Sequence, residues 1–122
     1  MPSDPILIVD DNPVNLKLTM VLLESEGYAV KTAGDAEEAL TLVTIFRPRL
    51  ILMDLQLPGM DGLELTKRIK ADPMTKETIV IALTAYAMKG DKEKALNSGC
   101  DGYMTKPIDT RSFLPTIASY LR

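Results

Sequence analysis

The chain has 122 residues, enough for one domain around a single core and too few for two that each bury much surface, so a single domain over residues 1–122 is expected. With 46% hydrophobic and 25% charged residues it is too apolar for a disordered chain, and a net charge of -3 without a basic block argues against direct nucleic-acid binding. The acidic opening Met1-Pro2-Ser3-Asp4-Pro5 precedes only four apolar residues, which fits neither a signal peptide nor a membrane span; with a single cysteine, Cys100, in a setting that suits a small buried thiol, a cytoplasmic location is expected.

Ile6-Leu7-Ile8-Val9 is an apolar run of the kind a strand covered on both faces needs. Asp10-Asp11-Asn12-Pro13 follows at once, where Asn12 suits a helix cap and Pro13 the first helical turn. The helix is expected to run to about Glu26 and stop at Gly27. Leu18, Val21 and Leu22 give it an apolar stripe, while Leu16, Met20 and Leu23 lie outside that stripe and suggest a face available to a partner. Residues 28–33 read as an outer strand, and Asp35 with Glu38 opens a helix that ends before Pro48, its apolar set being Ala39, Leu40, Val43 and Phe46. Leu50-Ile51-Leu52-Met53 is a second wholly apolar run and stops at a carboxylate, Asp54; Pro58, Gly59 and Gly62 then turn the chain toward a helix marked by Leu63, Leu65 and Ile69 and ended by Asp72-Pro73. Residues 78–83 form a fourth apolar strand closing on Thr84. Residues 86–98 are expected to be helical, with Gly90 weakening the early turns and making this the mobile helix. A short fifth strand over 101–104 precedes Thr105-Lys106-Pro107, and a last helix covers about 111–121, where Pro115 is tolerable only in the first turn.

Five strands alternating with five helices, without linker or repeat, predict an α/β fold: a doubly wound five-stranded parallel sheet of flavodoxin-like order 2-1-3-4-5. That topology brings Asp10, Asp11, Asp54, Thr84 and Lys106 to one sheet edge, where open parallel sheets bind ligands. Three carboxylates so close stay ionised together only with a cation among them, and an all-oxygen set in a chain without histidine favours Mg2+, with Mn2+ as an alternative. An ion held in a half-cage completes its shell with a phosphoryl oxygen; Lys106 and Thr84 offer a charge and a hydroxyl to that group, and a carboxylate oxygen of Asp54 is placed to become an acyl phosphate. Since the chain holds no histidine, a phosphohistidine donor must come from outside.

The phrases Ile8-Val9-Asp10-Asp11-Asn12, Met53-Asp54-Leu55-Gln56-Leu57-Pro58-Gly59-Met60-Asp61-Gly62, Leu83-Thr84-Ala85 and Lys106-Pro107 resemble the receiver domains of two-component response regulators over almost the whole chain. The segment from Leu83 to Asp91 is similar to that of single-domain regulators of the DivK kind and of receivers in hybrid histidine kinases. The resemblance implies a phosphorelay function: Asp54 as phosphoacceptor, Asp10, Asp11 and the backbone carbonyl of Gln56 as further Mg2+ ligands, Thr84, Ala85 and Lys106 around the phosphoryl group, and Tyr103 as the switch aromatic. It further implies a cis bond between Lys106 and Pro107, and an influence of Gln56 and Tyr86 on acyl-phosphate lifetime, with bulky Tyr86 expected to slow hydrolysis. The implied partners are a histidine kinase or histidine phosphotransferase as donor and a downstream protein that reads the face of the fourth helix, fifth strand and fifth helix. No output domain is expected, and the chain is expected to be a monomer or a weak phosphorylation-dependent dimer that catalyses only its own phosphorylation and dephosphorylation. Two other readings use parts of the same pattern. An aspartyl phosphohydrolase would want a second acid where Gln56 stands, and a flavin-binding module would want a Gly-rich loop where the chain has acids.

Overall fold

A computed structural model describes residues 4–55, 60–84, 90–106 and 108–121. The elements are β1 (Pro5–Val9), α1 (Pro13–Ser25), β2 (Ala29–Ala33), α2 (Ala36–Phe46), β3 (Leu50–Asp54), α3 (Gly62–Ala71), β4 (Ile79–Thr84), α4 (Asp91–Asn97), β5 (Gly102–Thr105) and α5 (Phe113–Leu121). The strands form one parallel sheet in the order β2-β1-β3-β4-β5, as the alternation of elements predicts. Strand polarity explains the layering. Ile6, Ile8, Leu50, Leu52, Ile81 and Leu83 point to one face, where Leu23 of α1 and Phe113, Ile117 and Leu121 of α5 cover them. Leu7, Val9, Ile51, Met53, Val80 and Ala82 point to the other, against Ala39 and Val43 of α2, Leu65 and Ile69 of α3 and Ala95 of α4. β3 is buried at every residue, including its last, Asp54. No helix among the described residues is long and apolar enough to cross a membrane.

Local chemistry fixes the helix starts. The Asn12 side chain accepts hydrogen bonds from the amides of Val14 and Asn15, Asp35 from Glu38, and Asp61 from Glu64, each satisfying a donor that the helix itself leaves unpaired. Pro115 is the third residue of α5 and so falls within the first turn, where no backbone donor is lost.

Two expectations need correction. The inward face of α1 is Leu16, Thr19, Met20, Leu22 and Leu23, with Leu23 fully buried; of the expected stripe only Leu22 packs inward, whereas Leu18 and Val21 are 44% and 53% exposed. The hydropathy pattern misled because Thr19 is polar yet buried: its hydroxyl donates to the Asn15 carbonyl at 2.8 Å, so it enters the core already satisfied. The fourth helix begins at Asp91, not at Tyr86. Gly90 sits at its N-cap with φ +91°, a left-handed conformation that a right-handed helix cannot pass through; residues 85–89 lie outside the described residues.

Cys100 is buried, and its thiol donates weakly to Thr66 Oγ1 at 3.8 Å. Burial pushes the thiol up from its ordinary pKa, Asp101 adds to this, and the Thr66 contact and Lys70 oppose it without reversing it. The folded protein is therefore expected to react with a thiol reagent at pH 8 far more slowly than the urea-unfolded chain; equal rates would contradict this burial.

Candidate functional site

The order of strands reverses beside β1, and the site lies there, at the carboxyl ends of β1 and β3. Asp10 directly follows β1 and remains tied to the sheet, its amide donating to the Ala33 carbonyl at 3.0 Å. Its Oδ1 accepts the Asn12 amide at 2.9 Å, so the turn orients the carboxylate, and the residue is only 2% exposed. Asp54 closes β3 and is 4% exposed. Asp11 is exposed, and oxygens of Asp10, Asp11 and Asp54 lie within 4.8 Å of one another.

Lys106 enters this cluster from the end of β5. Its backbone amide donates to the Thr84 carbonyl at 2.8 Å, and its Nζ lies 2.9 Å from Asp10 Oδ2 and 3.3 Å from Asp54 Oδ2. One ammonium thus bridges the two buried carboxylates. Burial alone would lower the lysine's pKa, but the hydrogen bond to Asp10 and the charges of Asp54 and Asp10 together outweigh it and hold the group above its ordinary value. Thr84, 3% exposed, ends β4 beside Thr105, and Asp54 pairs with Leu83 in the adjacent register. Tyr103 is half-buried on β5, opposite Ala82, and packs against the core on the α2–α4 side.

Asp10, Asp11, Asp54, Thr84 and Lys106 therefore share the sheet edge that topology assigns them. Gln56, Ala85, Tyr86 and Pro107, and with Pro107 the Lys106-Pro107 peptide bond, lie outside the described residues. The donor set suits a hard divalent cation: it is all oxygen, the Asp10 carboxylate is oriented by the Asn12 backbone amide, and three carboxylates gather beside one lysine.

Two features of the site are not apparent from the sequence pattern. Gly62 opens α3 directly against the end of β3, where an added Cβ would stand 2.5 Å from the Asp54 carbonyl oxygen and 2.8 Å from Leu55 Cα. Gly62→Ala is therefore expected to cost about 2 kcal/mol, read from the urea midpoint, because backbone rather than a flexible side chain must yield. A midpoint within error of the parent would show that the junction relaxes freely. The second feature is a small cavity of about 70 Å3 between α1 and the segment after β5, lined by Asn15, Leu18 and Thr19 on one side and Lys106 and Ile108 on the other. Asn15 lines this cavity from the first turn of α1, its backbone amide donating to the Asn12 cap at 3.2 Å.

Comparison with known proteins agrees with this geometry. The family described as the response regulator receiver domain matches residues 6–118. The polar-differentiation response regulator DivK of Brucella anthropi is 47% identical over 121 residues, covering 99% of this chain and 98% of that protein. Among solved structures, a CheY-like response regulator receiver domain protein from Methanospirillum hungatei superposes with a TM-score of 0.89 at 36% identity, covering 97% of this chain and 93% of its own. The receiver domain of a sensor histidine kinase from Pseudomonas aeruginosa, solved with a magnesium ion coordinated in its active-site cleft, gives a TM-score of 0.89 at 34% identity, covering 98% of both chains.

Proposed function

This chain belongs to the response regulator receiver domain family of two-component signalling, and from that premise we propose that it accepts a phosphoryl group on Asp54 from a phosphohistidine protein and passes the change to a partner-binding face. The observation that carries this reading is the pair of buried carboxylates, Asp10 and Asp54, bridged by Lys106 at the switch point of the sheet. Asp10, Asp11, Asp54 and the Gln56 carbonyl would hold Mg2+, which supplies charge neutralisation to the transferring group. An oxygen of Asp54 attacks phosphorus in line. The new O–P bond forms as the donor's N–P bond breaks, and its electron pair stays on the donor imidazole. Lys106 Nζ, already 3.3 Å from Asp54, offers its positive charge to the phosphoryl oxygens, and the Thr84 hydroxyl donates to another of them. Drawing Thr84 toward the phosphoryl group opens room for Tyr103 to turn inward, which shifts the population of the α4–β5–α5 face toward its partner-binding form.

The test is intact-mass analysis after incubation with phosphoramidate and Mg2+. A single phosphoryl adduct that is lost in EDTA and maps to the peptide carrying Asp54 is expected. An adduct elsewhere, or one indifferent to chelation, would overturn the assignment.

The exposed apolar row Val14, Leu18 and Val21 on α1 lies beside the site, with Leu18 also lining the small cavity next to Lys106, and is the surface a protein donor would cover. Leu18→Asp is expected to slow transfer from a phosphohistidine protein roughly tenfold, the effect of losing a buried anchor, while the phosphoramidate reaction keeps its rate. Equal slowing of both reactions would show that the substitution damages the site itself.

A further inference from the structure

A second, larger cavity lies along the same side of α1, at the end remote from the site. It measures about 280 Å3 and is lined by Glu26, Tyr28, Leu114, Pro115 and Ala118, between the end of α1, the start of β2 and the flank of α5. That volume falls just below the roughly 300 Å3 at which pockets for drug-sized ligands begin, so it suits one long side chain. Its walls are apolar except at one end, where the exposed Glu26 carboxylate stands beside the half-buried Tyr28 ring.

The charges that act on Tyr28 are negative. Burial first, then the negative charges of Asp4 and Glu26, push the Tyr28 phenol above its ordinary pKa. Asp4 is partly neutralised by Arg49 at 3.2 Å, whereas Glu26 makes no ion pair among the described residues. Glu24 and Glu26 also stand at the C-terminal end of α1, whose last turn carries no basic residue, so they oppose the helix dipole. A cation docked there would relieve both the repulsion and the dipole mismatch. The aliphatic stem of an arginine or lysine would lie on Leu114, Pro115 and Ala118, with its charged head against Glu26 and the Tyr28 ring.

We propose that the Glu26–Tyr28 pocket anchors an arginine or lysine side chain of the protein that delivers the phosphoryl group. From Asn15, which lines the cavity beside Lys106, to Glu26 is about three turns of α1, or roughly 16 Å. A donor helix lying along α1 would thus present its basic anchor about that far from the residues that meet the site. The assignment rests on the proposed function only in taking the partner to be the donor.

The experiment is a two-dimensional amide NMR titration with N-acetyl-arginine amide, and with the corresponding citrulline derivative as a neutral control of the same shape at matched ionic strength. Saturable shifts at Glu26, Tyr28 and Ala118 are expected with the arginine probe and not with citrulline. Glu26→Gln is expected to weaken arginine binding roughly tenfold, as loss of a charge-assisted hydrogen bond does, without lowering the melting temperature. Citrulline binding as well as arginine, binding unchanged in Glu26→Gln, or no saturable shift at these residues would each overturn the proposal. Phosphoramidate labelling of both proteins runs alongside. Failure of both to take up a phosphoryl group would refute the phosphoacceptor reading, a result separate from the outcome at the pocket.

Discussion

Asp54→Asn is expected to abolish phosphoryl uptake at the site and, in the absence of divalent cation, to make the protein more stable than the parent. Asp54 is buried, lies within 4.8 Å of the carboxylates of Asp10 and Asp11, and shares one lysine with Asp10. Asparagine keeps the shape and retains an oxygen that can accept from Lys106, but removes one of three mutually repelling charges. A gain of about 1 kcal/mol is expected, the size of the repulsion between two unit charges about 4 Å apart in water. Mg2+ should reverse the order, since only the parent has the full carboxylate set whose binding adds to stability. Urea titrations of both proteins with and without Mg2+ decide the matter. A variant less stable than the parent in EDTA would mean that the lysine already neutralises the cluster fully.

Lys106→Met should act in the opposite sense and more strongly. It leaves two buried carboxylates without their shared cation, and breaking a buried ionic contact by removing one partner costs about 3 kcal/mol. Phosphorylation by phosphoramidate should fall roughly a hundredfold, the usual effect of losing one charge-stabilising donor. The pH dependence has a definite sign. The folded pKa of Lys106 is raised, so its stabilising contribution is fully present below the unfolded value of about 10.4 and is lost as pH rises through the folded value. The stability gap between parent and variant should therefore be flat from neutral pH to about 9 and narrow only above about 10.5. A gap that closes near neutrality would place the stabilising charge elsewhere.

The sheet was legible in the sequence because its buried strands are short apolar runs ended or directly followed by polar residues, and those residues, Asp10, Asp54 and Thr84, are themselves candidates for the site. Periodicity in α1 was a poorer guide. Apolar side chains nearly surround the helix, and the buried hydroxyl of Thr19 counts against the correct face even though it is satisfied within its own helix. The start of α4 depends on Gly90 adopting a positive φ, whereas a glycine in sequence signals only that it can. The bridge from Lys106 to Asp10 joins residues 96 positions apart, and topology could bring them to one edge without saying that one ammonium would touch two carboxylates. Gly62 reads as an ordinary turn glycine until the backbone of Asp54 is seen against it.

The bridging lysine also bears on what holds the resting protein together. By standing between Asp10 and Asp54, Lys106 serves as a built-in counterion, so folding does not have to wait for an ion from solution. Entry of the proposed Mg2+ would then be an exchange in which carboxylate oxygens give up some of their contact with the ammonium, and its net gain would be smaller than for an empty ring of acids. Under the proposed function such a site would trade grip for turnover: the fold would persist through swings in ion supply, while readiness to react would follow them. The same ammonium, once its hold on the acids loosens, would already be in place to meet the negative charge of the phosphoryl group in the proposed reaction.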